Sequence, residues 1–221
     1  MHSDRAQSAP VTGVWGTIIA LVNADGSAAH PMGATLTRPL VPARDVADVV
    51  HVLCTLHGRQ PGIIDFALAN NSLAGALPWL EAAAGGFAAE RALLAKLASA
   101  AGPLPSTPGH AESENAVAAQ RHAINMLAQS DRNGCGVGAA IALVLDWAAI
   151  RTILNAAAER FGFTPSASTL PDTAATAAMV EALPSSASVD RAMGFAVQQL
   201  LAQHRGLWDL LDARASARAS L

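Results

Sequence analysis

Residues 135–161 read CGVGAAIALVLDWAAIRTILNAAAERF. This stretch decides the fold. Its first half is hydrophobic on every side, and a helix of that kind is one that other elements surround. It is therefore expected to be the central, buried helix of an all-α domain, ended by Gly162. The longest strongly apolar run within it, Cys135 to Leu145, is well short of a bilayer span and is stopped by Asp146, so no membrane association is expected.

Working outward, every substantial segment has apolar residues at helical spacing. Val11, Val14, Trp15, Ile18, Ile19 and Val22 mark a first helix, stopped at Asp25-Gly26. Pro31, Pro39 and Pro42 make residues 25–44 read as a long connection. Further helices are expected over Asp45 to His57, Ile63 to Asn70, Pro78 to Ala101, Ala111 to Ser130, Pro171 to Leu183 and Ser188 to Arg214. Gly58 and Gly102-Pro103 sit where helices stop, and Pro78 lies in a first turn. Loops this short favour antiparallel neighbours, which gives an up-and-down bundle of about six to eight helices. On this reading residues 1–10 are a flexible tail, 11–215 a single helical domain and 216–221 a C-terminal tail.

Composition narrows the chemistry. The chain has 221 residues, 52% of them hydrophobic and only 14% charged, with alanine making up much of the apolar share. It has no tyrosine, which excludes tyrosine-based acid, nucleophile or radical chemistry. A net charge of −3 argues against a nucleic-acid partner, which would favour a basic stripe. Cys54 and Cys135 form neither a CxxC motif nor a disulfide framework, so a soluble protein of the reducing cytoplasm is expected.

Known site patterns fit poorly. A ferritin-type di-metal centre needs Glu-x-x-His to set two ligands on one helix face, and none of Glu81, Glu90, Glu112, Glu114, Glu159 or Glu181 has that partner. His51, Cys54 and His57 spread too widely around one helix to close on zinc, and are expected to be an exposed His51 and a His57 at the helix C-terminus. Neither a metal nor a cofactor is expected. Gly134, Gly136 and Ala139 match G-x-G-x-x-A, but the fingerprint has meaning only after a strand. Cys135, at a helix start, reads as a small packing residue rather than a nucleophile.

Two stretches resemble an uncharacterised alphaproteobacterial family classed as a domain of unknown function. They are Leu56-His57-Gly58-Arg59-Gln60-Pro61-Gly62-Ile63-Ile64-Asp65, and Arg132-Asn133-Gly134-Cys135-Gly136-Val137-Gly138 leading into Leu143-Val144-Leu145-Asp146-Trp147. The resemblance implies no activity and no site residues. In general shape the chain is also similar to ferritin-like and thiaminase-II-like helical proteins, a likeness of fold that does not give function.

The informative signal is charge on apolar faces. Glu90 falls within the arc Trp79, Ala83, Phe87, Leu94 and Leu97. Arg151 falls within Ala140, Val144, Trp147 and Leu154, with Asp146 on a second side between Ile150 and Ile153. His204 interrupts the stripe Val189, Met193, Leu200, Leu207 and Leu211, and Gln120 sits near Val117, Ile124 and Leu127. Unpaired buried charge is prohibitively costly, so these groups should meet partners. The expected result is a structural network with Glu90 paired to Arg151, joined by Gln120 or His204. Two function classes follow. One is a non-enzymatic binding or interaction module, with a protein partner or homo-oligomer. The other is a ligand-binding protein or enzyme with a polar pocket around Glu90, Arg151, His204, Gln120 and Asp146.

Overall fold

The computed structural model describes residues 13–184 and 186–220. Among them are nine α-helices and no strand: α1 (Val14–Asp25), α2 (Pro31–Leu36), α3 (Ala43–His57), α4 (Ile63–Ala69), α5 (Leu77–Ala101), α6 (His110–Ala128), α7 (Cys135–Arg160), α8 (Thr173–Ala182) and α9 (Ala187–Ala219). Short 3-10 turns occupy Ser27–Ala29 and Ala74–Ala76. The all-α bundle holds. The expected tail over 1–10 lies outside the described residues.

The centre is α7. Seventeen of its 26 residues are buried, and it touches α1 through α6 as well as α9. By length and composition the whole helix is apolar enough to cross a membrane, more than the run to Leu145 suggested, but 83% of that apolar window is buried inside the fold. Its main partner is α9, and small residues let the two backbones approach. A Cβ on Gly138 would lie 2.7 Å from both Cα and O of Met193. Gly134, at φ 92°, starts α7 in the left-handed region that favours glycine.

Two boundaries differ from the sequence reading. Residues 25–44 are not one connection, because Pro31 opens α2. Proline fits the first helical position, where its missing N–H costs nothing. His30 accepts the Met32 N–H at 3.2 Å, and Met32 and Leu36, one turn apart, are buried. At the other end, α9 does not stop at Arg214. It runs to Ala219, because Arg218 is drawn to carboxylates on α3. What reads as the start of a C-terminal tail is the last turn of a docked helix.

The close approach of α7 and α9 predicts opposite outcomes for two glycines. Gly138→Ala should lose about 1–3 kcal/mol from overpacking despite its better helix propensity. Gly85→Ala, on the exposed face of α5 with nothing within 4 Å of the added methyl, should gain about 0.5–1 kcal/mol. Urea melts of the two variants check this, and a neutral or stabilising Gly138→Ala would contradict the α7–α9 spacing.

Candidate functional site

The charges expected inside are inside, gathered into separate nodes rather than one pocket. Glu90 on α5 is 1% exposed. Its carboxylate accepts from Arg151 Nη1 at 2.5 Å, Ser168 Oγ at 2.7 Å and Trp147 Nε1 at 3.0 Å. Arg151 donates Nε to Asn155 Oδ1 at 2.8 Å and Nη2 to the Ser166 carbonyl. All three of its nitrogens are thus engaged. The pair fastens the 163–172 segment over α5, where Gly86 leaves room: a Cβ there would sit 2.9 Å from the Leu170 nitrogen and the Thr169 oxygen.

Asp146 and His204 form a second node. Asp146 accepts from Ser27 N at 2.6 Å and Ser27 Oγ at 2.5 Å, and its Oδ2 lies 2.6 Å from His204 Nδ1. Trp208 Nε1 donates to Ser27 Oγ at 2.9 Å. His204 Nε2 faces His57 Nε2 at 3.0 Å. An ionised carboxylate only accepts, so His204 carries its proton on Nδ1, and the line between the two Nε2 atoms holds a single proton. Trp147 stands between the nodes. Its N–H goes to Glu90, and its ring meets His57 edge-on at 5.5 Å between centroids.

His57 lies in the last turn of α3, as expected, but its role is not confined to the helix end. It is 5% exposed and part of the interior chain. His51 is half-buried and bonds the Gly102 carbonyl at 2.8 Å. Gln120 joins neither node. Its Nε2 donates to the Gln203 carbonyl at 3.3 Å, and its Oε1 is buried without a partner.

Two further ion-pair nodes escaped the sequence reading. Asp48 on α3, fully buried, receives Arg214 Nε and Nη2 at 2.8 Å and Arg218 Nη1 at 2.6 Å. Arg218 also bonds Asp45 Oδ1 at 2.8 Å, and Thr107 Oγ1 accepts from both arginines. The signal was present: Asp45/Asp48 and Arg214/Arg218 have i,i+3 and i,i+4 spacings that put each pair on one helix face. Asp65 caps the Gly62 N–H at 2.8 Å and also pairs with Arg91. The Arg91 guanidinium lies 5.1 Å from the Phe87 ring centre, and its Nε and Nη1 are buried without partners.

Chemically, this interior keeps His57 neutral and Asp146 ionised. Burial pushes the His57 imidazole well below its usual value, and the charges of His204 and Arg91 push the same way. Burial alone would raise Asp146, but the hydrogen bond and charge of His204 and two bonds from Ser27 outweigh it and hold the carboxyl below the usual range. Burial raises the Cys135 thiol, against thiolate formation at the start of α7. Among the described residues, no three His, Cys, Asp or Glu side chains are grouped so as to hold a metal ion. A surface groove of about 290 Å³ reaches Arg151, Trp147 and Ser168, while Glu90 and His204 do not line it.

Two tests follow. Glu90→Ala and Arg151→Ala should each cost about 3–5 kcal/mol, because each strands a buried charge. The double variant should lose much less than their sum, and additive losses in a denaturant cycle would contradict the pairing. The pH dependence has a definite sign. Unfolded His57 takes a proton near about pH 6.5, which the folded site resists. Below that value the unfolded chain binds more protons and stability falls. Asp146 adds a second loss below about pH 4, where the unfolded carboxyl protonates first. Urea midpoints should decline from pH 7 to 5, and His57→Gln should flatten this limb. A flat wild-type profile there would contradict the buried neutral imidazole.

No curated protein and no solved structure matches the chain. A family match over residues 22–219 takes in all the interior groups described here, from Ser27 to Arg218, and both stretches singled out in the sequence. On that match the chain belongs to the family described as "Family of unknown function (DUF6975)".

Proposed function

We propose that the chain is a non-catalytic binding module of the cytoplasm: a rigid helical scaffold whose interior charges fix its shape and whose surface clefts do the binding. The observation that carries this reading is the engagement of Glu90, Arg151, Asp146 and His204 by one another and by Ser27, Trp147, Ser166 and Ser168. A general acid or base has to reach the atom it serves in a cleft, and Glu90 and His204 do not line the groove that reaches Arg151 and Trp147. Perturbed groups of this sort also arise in structural ion-pair networks. Free Cys54 and Cys135 fit the reducing compartment.

Native mass spectrometry of freshly purified protein tests the proposal. The expected result is a retained small molecule or partner chain that dissociates on denaturation and persists in Glu90→Gln. A bare chain under gentle conditions would count against binding. Loss of the retained species in Glu90→Gln at unchanged melting temperature would favour a pocket around Glu90, Arg151 and His204 instead.

A further inference from the structure

One cleft lies apart from the interior nodes and is built differently. It occupies about 260 Å³ between α3, α6 and α9, with the 102–109 loop along one side. Its apolar wall is Val52, Val117, Ala118 and Leu210, and Leu104, still 37% exposed, overhangs it from the loop. Small-molecule sites combine such an apolar wall with a few placed polar groups. The volume is near the lower end of the usual range for such sites, about 300–1,000 Å³, which suits a metabolite-sized ligand.

Two guanidiniums, Arg214 and Arg121, stand among the polar groups. Arg214 lines the cleft while only 4% exposed. Its Nε and Nη2 are held from behind by Asp48, and Nη2 also by Thr107. Nη1 has no hydrogen-bond partner among the described residues. Arg121, half-buried on α6, also lines the cleft and makes no ion pair among the described residues. The single carboxylate in the lining, Glu114, lies 3.4 Å from His110 Nε2. His110 Nδ1 is buried and unpartnered. Ser113 and Thr55 donate their hydroxyl protons to carbonyls of their own neighbourhood.

This arrangement gives the Asp45–Asp48–Arg214–Arg218 quartet a purpose that stability does not supply. Buried ion pairs are often no better than apolar packing for stability. Held in a fork by Asp48, however, Arg214 keeps Nη1 outside the ion pair, at a fixed place in the lining of the cleft. Paired guanidinium donors suit a planar carboxylate. We infer that the α3–α6–α9 cleft binds a small organic monocarboxylate, its charge on Arg214 Nη1 and Arg121 and its apolar body against Val52, Val117 and Leu210 beneath Leu104. This rests on the reading of the chain as a binding module and names the ligand class of that binding.

Amide NMR titration of the full chain tests it, with phenylacetate and hexanoate as probes and 2-phenylethanol and inorganic phosphate as controls. Both carboxylates should saturably shift Thr55, Val117 and Arg121, with dissociation constants on the order of 1 mM or tighter for molecules of this size. The two controls should bind about tenfold more weakly or worse, since they lack either the charge or the apolar body. Arg121→Met, a change at a half-buried site outside any ion pair, should weaken both carboxylates about tenfold at unchanged melting temperature. Leu104→Ser should weaken them while leaving the phosphate response as it was. Absence of saturable shifts, equal binding of either control, or undiminished binding by Arg121→Met would overturn the inference. If native spectra retain a ligand or partner while the carboxylates fail, this cleft assignment falls and the binding reading stands. If both fail, both fall.

Discussion

An ionised carboxylate in the middle of the most buried helix is the constraint on which the rest of the arrangement depends. Asp146 is 2% exposed, and a charge so placed is tolerable only if donors surround it. Two come from the backbone and hydroxyl of Ser27, and one from His204 on α9. Each donor brings a requirement of its own. The Ser27 hydroxyl, spent on Asp146, accepts from Trp208, and His204 turns its far nitrogen to His57 on α3. One carboxylate thereby places the turn after α1, the middle of α9 and the end of α3 relative to α7. Glu90 does the same for α5 and the 163–172 segment. Alanine-rich helices can slide past one another with little change in apolar contact, whereas each polar node is satisfied at one relative placement.

Much of this was legible in the sequence. The faces of α5, α7 and α9 were visible as arcs, and the charged exceptions Glu90, Arg151, Asp146 and His204 were correctly assigned to the interior. Glu90 and Arg151 meet as their helical phases required. How the others combine was not readable, because periodicity gives a face and not the neighbour opposite it. His204 therefore joins Asp146 and His57 instead of Glu90, and Gln120 bonds a backbone carbonyl on α9.

The misses have physical reasons. Pro31 reads in the sequence as a breaker yet starts α2, since proline marks both boundaries and only the flanking cap separates them. The place of His57 at a helix end does not reveal its burial, because the end of α3 is itself covered. The pairing of Asp48 with Arg214 and Arg218 is hidden in the sequence because the apolar stripe of the last helix fades near Arg214, so Arg218 reads as tail and its partners on α3 do not show.

The long separation of that last ion-pair group has a consequence for biosynthesis. Asp48 is made 166 residues before Arg214 and 170 before Arg218. At a ribosomal pace of about 5–20 residues per second, α3 therefore waits roughly ten to thirty seconds for the guanidiniums that neutralise it. During that interval Asp48 must keep its hydration shell, so α3 stays outside its final seat and its valine face remains open to premature association. The nascent chain can assemble its early helices in sequence, but it closes around them only when the far end of α9 has been translated.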